Sequence, residues 1–238
     1  MTVECEHGAA CHDGTEPSKA SAPEASRAWL LVEHPGPWPH DAADAQLPAP
    51  LDAVVPSADQ LGIRVQMIRR PGRRLGSSRG IYAGWTAGAE PWLRRATWDP
   101  GDPLDLDLEK LAAGSAPGFG SAVGEPVFLV CAHAQRNACC ARFGGPLAVQ
   151  LAGRYPGQVF QTTHVGGHRF AANLVILPHG LYYGPVGLAE AVAAIGAYGR
   201  GAVTAGRYRG RAGQPRPTQE AEHEVLTRAG SLAVASLG

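Results

Sequence analysis

VFLVCAHAQRNACCARFGGPLAVQLAGRYPGQVFQTTHVGGH, residues 127–168, decides the fold. VFLVCAH (127–133) is a short apolar run of the length of a buried strand. CCARFGGPLAVQLAGRY (139–155) contains a helix, and GQVFQTTHV (157–165) reads as a second strand. Strand, helix and strand in this order predict a parallel pair in an α/β arrangement. Adjacent parallel strands bring their C-terminal ends together, and ligands bind at that edge of an open sheet. Here the edge carries Cys131 and the HVGGH motif (164–168), with Cys139 and Cys140 near the start of the intervening helix.

Downstream, RFAANLVILP and GLYYGPV form a hairpin around Pro178-His179-Gly180. LAEAVAAIGAYG (188–199) is an Ala-rich helix, and TQEAEHEVLTRAGSLAVA (218–235) a final helix with Thr218 as its N-cap. Upstream, RAWLLVEH (27–34) is a strand stopped by Pro35-Gly36, PLDAVVPSADQLG (50–62) a broken helix, IRVQMIRR (63–70) a strand and GIYAGWTAG (80–88) another. DPLDLDLEKLAAG (102–114) is mixed, and SAPGFGSAVGEP (115–126) is a linker or long turn.

The two halves look alike. AWLLVEH lies over VFLVCAH without gaps, placing Trp29 on Phe128, Val32 on Cys131 and His34 on His133. Each run is followed by a helical stretch containing Pro-Leu, then by a strand ending in RRPG or HVGG. This predicts two copies of one strand–helix–strand plus hairpin module. The expected fold is therefore α/β, a thioredoxin-like C-terminal domain preceded by a related, degenerate thioredoxin-like N-terminal module in which arginines and proline replace the histidine motif. The expected boundaries are a flexible tail over 1–26, the N-terminal module over 27–120, the second module over 121–212 and a C-terminal helix over 213–238.

Composition narrows the function. Twenty-one basic and 21 acidic residues balance in the 238-residue chain, so no global charge draws it to nucleic acid or an anionic membrane. Hydrophobic residues make up 45% of the chain, enough for a core. No apolar run approaches the roughly 20 residues of a membrane span. MTVECEHGAACHDG has neither the basic start nor the apolar centre of a signal peptide, so a cytoplasmic location is expected. In that compartment the five cysteines are expected to be metal ligands, redox groups or core thiols rather than disulfides. Cys5 and Cys11 fall in the expected tail and read as tail residues rather than a second metal pair.

Two cysteines and two histidines suit a tetrahedral zinc site, and equally a 2Fe–2S centre with two histidines on one iron. Eight residues separate Cys131 from Cys140, more than the two to four usual between paired zinc-finger cysteines, and a loop of that length can wrap a larger cluster. Cys-Ala-His mimics half of a Rieske motif, but no second Cys-x-x-His follows. Cys139 and Cys140 cannot both face the centre, because helical neighbours point about 100° apart. Gly166 and Gly167 can take positive φ and let the backbone approach a metal.

VCAHAQRNACCARFGGPL (130–147), HVGGHRFAANLVILPHGLYYGPV (164–186) and RYRGR (207–211) together resemble the sucrase/ferredoxin-like family, over about Ala28 to Glu222. That resemblance implies a thioredoxin-like ferredoxin in the second half, with a 2Fe–2S cluster bound by Cys131, Cys140, His164 and His168, and Cys139 left as a core thiol. It implies electron transfer with an unidentified redox partner protein or reductase, not sugar hydrolysis. The carboxylates of DLDLE (105–109) read as a solvated face rather than a glycosidase pair. No catalytic residue is expected, and the histidines would let a proton accompany the electron. The competing readings are a structural zinc domain in an interaction protein, and a thiol oxidoreductase lacking a Cys-x-x-Cys motif. His133 is either a neighbour that orients a ligand or a strand-end histidine satisfied by backbone. Arg169 is a cation for the cluster or for an acidic partner, RYRGR an anion-binding or plainly solvated loop, and Tyr182 and Tyr183 the core and rim of the hairpin.

Overall fold

The computed structural model describes residues 20–72 and 78–237. The chain runs through β1 (Ala28–Glu33), α1 (Leu51–Gln60), β2 (Arg64–Arg69), β3 (Arg79–Trp85), β4 (Trp92–Trp98), α2 (Leu108–Ala112), β5 (Ser121–Ala122) and β6 (Val127–Cys131). A turn of π-helix (Cys140–Gly144) then leads into α3 (Gly145–Arg154), followed by β7 (Val159–Thr162), β8 (Leu174–Leu177) and β9 (Leu181–Tyr183). The chain closes with α4 (Leu188–Gly199), β10 (Ala202–Thr204), β11 (Tyr208–Arg211), α5 (Arg216–Ala229) and β12 (Ser231–Ala233). None of the described helices is long and apolar enough to cross a membrane.

Ten strands form one mixed sheet whose order is palindromic. From the centre outward it reads β2-β1-β3-β4-β5 in one half and β7-β6-β8-β9-β11 in the other. In each half the two inner strands are parallel and the next two alternate in direction. The halves meet where β2 and β7 pair antiparallel, Ile68 opposite Thr162. The parallel β6–β7 pair sets Cys131 opposite Thr162, so Cys131 and the residues after Thr162 emerge at one edge.

The strands are apolar on both faces. Leu30 and Val32 pack with α1 residues Leu51, Val55 and Ala58, and Phe128 and Val130 with α3 residues Leu147 and Leu151. On the opposite face Trp29 and Leu31 join Leu129, Cys131, Phe160, Val175 and Tyr182 in a core shared by both halves.

The gapless overlay of AWLLVEH on VFLVCAH is displaced by one residue. The His34 N–H donates to the Ile68 carbonyl at 2.9 Å, and the Ala132 N–H to the Thr162 carbonyl at 3.1 Å. Glu33, not Val32, therefore stands where Cys131 does, and Arg70, two residues past Ile68, stands where His164 does. Glu33 and Arg70 form an ion pair at 3.1 Å, and the Gly80 N–H also donates to Glu33. Apolar runs without alternation do not fix a register, and a slip of one exchanges the two faces.

Five other expectations change. The tail expected over 1–26 does not hold for its last residues. The Ser21 and Ala22 N–H groups donate to the Arg209 carbonyl, and the Gln219 amide brackets Ala22. Cys5 and Cys11 lie outside the described residues. Pro56 does not break α1; fully burying Leu51 and Val55, at about 1.5–3 kcal/mol each, offsets the roughly 3 kcal/mol an interior proline costs. Between 88 and 126 the sequence reading missed β4, and the linker contributes β5 to the sheet edge. The last helix starts at Arg216 with proline in its first turn and stops at Gly230, φ 76°, so 231–233 pair with β10 instead. RYRGR is not a loop: its last four residues are β11, with Arg209 and Arg211 buried.

Candidate metal centre

Cys131 ends β6, and Cys140 opens the π-helical turn that follows it. The turn packs tightly on the strand, since a Cβ at Gly144 would overlap the Cys131 carbonyl. Both thiols are fully buried. Cys131 Sγ lies 4.0 Å and Cys140 Sγ 3.8 Å from His164 Nδ1, and one ligand atom from each of the three residues falls within 4.8 Å of the others. The Cys131 thiol is held well below its usual range, first by a hydrogen bond from Cys140 and then by His164, against the opposing effect of burial. A thiol ready to ionise in a dry core is a metal ligand's condition.

His164 is positioned through its backbone. Its N–H donates to His133 Nδ1 at 3.2 Å, and its carbonyl accepts from Arg64 and Gln66 at 3.3 and 3.4 Å. His133 Nε2 lies 2.7 Å from the Pro39 carbonyl. A carbonyl only accepts and an amide N–H only donates, so His133 carries its proton on Nε2 and stays neutral. Burial also pushes its pKa down. His133 is thus satisfied by backbone groups at both ring nitrogens, and one of these bonds fixes His164. Gln66 Oε1 also accepts from the Thr162 and Thr163 hydroxyls, so residues of the first half grip the end of β7.

The glycines of HVGGH adopt the conformations that need them. Gly166 has φ 96° and Gly167 φ 70°. A side chain on Gly167 would also strike the Arg209 guanidinium. The short turn His168–Phe170 follows. His168 is half-buried, its ring centroid 6.4 Å from that of His164 and tilted by 35°. It lies next to the three-residue group rather than inside it. The outcome for the four expected ligands is three brought together and one alongside.

The family model described as sucrase/ferredoxin-like matches residues 20–210. The chain belongs to the sucrase/ferredoxin-like family. No curated protein and no solved structure matches it.

Within this sucrase/ferredoxin-like chain the two adjacent cysteines have different fates. Cys140 joins the group, whereas Cys139, buried beside it, is disulfide-bonded rather than the core thiol expected. Arg169 is exposed, its guanidinium over Phe170. DLDLE runs into the start of α2, with Leu106 and Leu108 packed on the core and Asp107 capping the helix by accepting the Lys110 N–H. A cleft of about 410 Å³ opens beside His164 at the junction of the halves, lined by His40, Asp41, Arg64, Gln66 and Arg136 among others. Arg209, read from sequence as part of an anion-binding or plainly solvated loop, instead lies under the Gly166-Gly167 backbone inside the protein. The only hint of this was the alternation of arginine with small or aromatic residues in RYRGR.

Two thiols and two imidazoles are the donor set of both a His-ligated 2Fe–2S centre and a zinc site. The dry thiol side and the half-exposed imidazole side suit an asymmetric cluster. The closeness of His164 to both thiols suits a single ion.

Proposed function

We propose that this chain is a soluble, cytoplasmic electron carrier that binds a 2Fe–2S cluster through Cys131, Cys140, His164 and His168. The observation that carries the reading is the convergence of two buried thiols with a half-buried imidazole at the C-terminal edge of β6–β7, beside an open cleft. When bound, the cluster supplies one-electron chemistry. Cys131 and Cys140 would hold it from the water-free core, and His164 and His168 from the side that solvent and a partner can reach. The outer ring nitrogen of each histidine is the atom that would hold a proton accompanying the electron. The partner is a redox protein or reductase. Each half would be a thioredoxin-like unit, 27–120 without ligands and 121–212 with them, followed by a C-terminal segment over 213–238.

The test is metal and sulfide analysis, with a visible spectrum, of protein made with ample iron and purified without air. About two irons and two sulfides per chain are expected. Stoichiometric zinc without iron would replace this reading by the second one, a structural zinc domain. One observation favours zinc: ligand atoms 2.0–2.3 Å from a single tetrahedral ion lie about 3.5 Å apart, near the 3.8 and 4.0 Å found here. A thiol oxidoreductase is the third reading. Full burial of both Cys131 and Cys140 counts against it, and slow labelling of both thiols by a disulfide reagent in folded, metal-free protein would remove it.

His168→Cys tests the fourth ligand. In a variant that still loads iron the reduction potential is expected to fall, because an anionic thiolate stabilises oxidised iron more than a neutral imidazole does. All-cysteine plant-type clusters lie near about −400 mV, and His-ligated ones at roughly −150 to +300 mV. A fully loaded variant with the wild-type potential would take His168 out of the ligand set.

A further inference from the structure

Two buried polar groups near the centre lack the partners that burial demands. Tyr182 is fully buried, and its hydroxyl has no hydrogen-bond partner. Arg209 is 1% exposed and has no carboxylate partner among the described residues. Its guanidinium donates to the Ser21 hydroxyl and carbonyl, the Asn173 side-chain oxygen and, at 3.5 Å, the Gly166 carbonyl. All four acceptors are neutral. An orphaned buried hydroxyl costs about 1–3 kcal/mol, and a buried cation without an anion costs more. The same strand shows the contrast: Arg211, also buried, pairs with Glu222 at 2.6 Å.

Register places Tyr182 toward the centre, and its contacts place Arg209 there. Tyr182 pairs with Val175, and Val175 with Leu129, so Tyr182 shares a sheet face with Leu129 and with Cys131 two residues further on. All four belong to one core cluster that also holds Cys140 and Val165. The Arg209 guanidinium lies 5.7 Å from the Tyr182 ring centroid and directly under Gly167, between the two histidines of the motif. Burial raises the phenol's pKa, so it stays a donor. The guanidinium's is pushed down to about 10, so it stays a cation at neutral pH.

We infer that the Tyr182 hydroxyl and the Arg209 guanidinium are built-in donors to the metal centre, a neutral O–H and a fixed positive charge that hold the negative charge gained on reduction. The inference rests on the 2Fe–2S reading. With neutral histidines and two thiolates the oxidised centre is uncharged, and one electron from the redox partner makes it anionic without forming or breaking a bond. The two donors then favour the reduced state. They are positioning residues, set on β9 and β11 behind the ligands.

The test compares full-length wild type with Tyr182→Phe, Arg209→Lys and Arg209→Met. Tyr182→Phe removes one unpartnered oxygen and keeps the ring, so its iron and sulfide content should equal that of wild type and its urea midpoint should be no lower. At a fixed ambient potential its ratio of reduced to oxidised protein should fall about tenfold, equivalent to 59 mV for one electron. Arg209→Met should fall further than Arg209→Lys, which keeps the charge. Should either arginine variant fail to fold, Tyr182→Phe decides alone. An equal potential in fully loaded Tyr182→Phe overturns the inference and leaves the electron-carrier reading intact. Wild type without iron overturns that reading, and this inference with it.

Discussion

Cys140→Ser is expected to abolish iron and sulfide binding, while Cys139→Ser retains most of both. The two residues are neighbours, so composition and hydropathy cannot separate them. Geometry does: Cys140 Sγ lies 3.8 Å from His164 Nδ1 and hydrogen-bonds to Cys131, whereas Cys139 is disulfide-bonded, its N–H held by the Asn137 side chain. A serine hydroxyl at position 140 stays protonated at neutral pH and is a far weaker ligand than thiolate for iron or zinc, so the loss is expected with either metal. Iron, zinc and sulfide per chain, with the visible spectrum, are the measurements. Loss confined to Cys139→Ser would assign the ligand to that cysteine, and equal loss in both variants would remove the distinction between them.

Gly144→Ala is expected to lower stability by about 3 kcal/mol, at the upper end of the cost of overpacking, and to lose the metal as well. The added methyl would meet a backbone carbonyl, that of Cys131, which no rotamer change can move aside. Either the π-helical turn lifts off β6 or the strand end bends, and each response separates Cys140 from Cys131. Urea unfolding of the metal-free protein isolates the packing cost, and metal analysis reads the geometric one. As a comparison, Gly145→Ala one position later should be near neutral, since a Cβ there meets nothing within 4 Å. A Gly144→Ala protein as stable as wild type would mean that the turn has room to relax.

The stretch 127–168 was legible because its chemistry and its pattern agree. Apolar runs mark β6 and β7, the Pro-Leu stretch between them forms α3, and the parallel pairing follows. The positive φ angles of Gly166 and Gly167 were legible for the same reason: only glycine takes them without strain. The internal likeness of the halves was visible, but its register was not. Trp29 and Phe128 look alike as large apolar residues, yet face opposite sides of the sheet. Arg209 and Tyr183 were misjudged because exposure is a tertiary property: Tyr182 is core as expected, but Tyr183, expected at the rim, is equally buried. An arginine in RYRGR looks solvated until Ser21 and Asn173, 188 and 36 residues away, close over it. Residues 20–26 were misread as tail because small polar residues carry no periodicity, and their order comes from the backbone hydrogen bonds of β11.

The junction between β2 and β7 bears on how such a chain can be divided. A fragment starting at residue 121 would keep all four expected ligands, so by motif it would count as complete. It would also leave β7 as an outer strand with bare amides and carbonyls, flanked by Phe160 and Val165 stripped of their cover. Such an edge is a template for self-association, and proteins blunt it with charge, proline or a bulge. VFQT has none of these. The first half therefore covers an edge at which the second half would otherwise be free to pair with its own copies. Natural relatives that lose the first half should show a charged residue, a proline or a second subunit where Ile68 now faces Thr162.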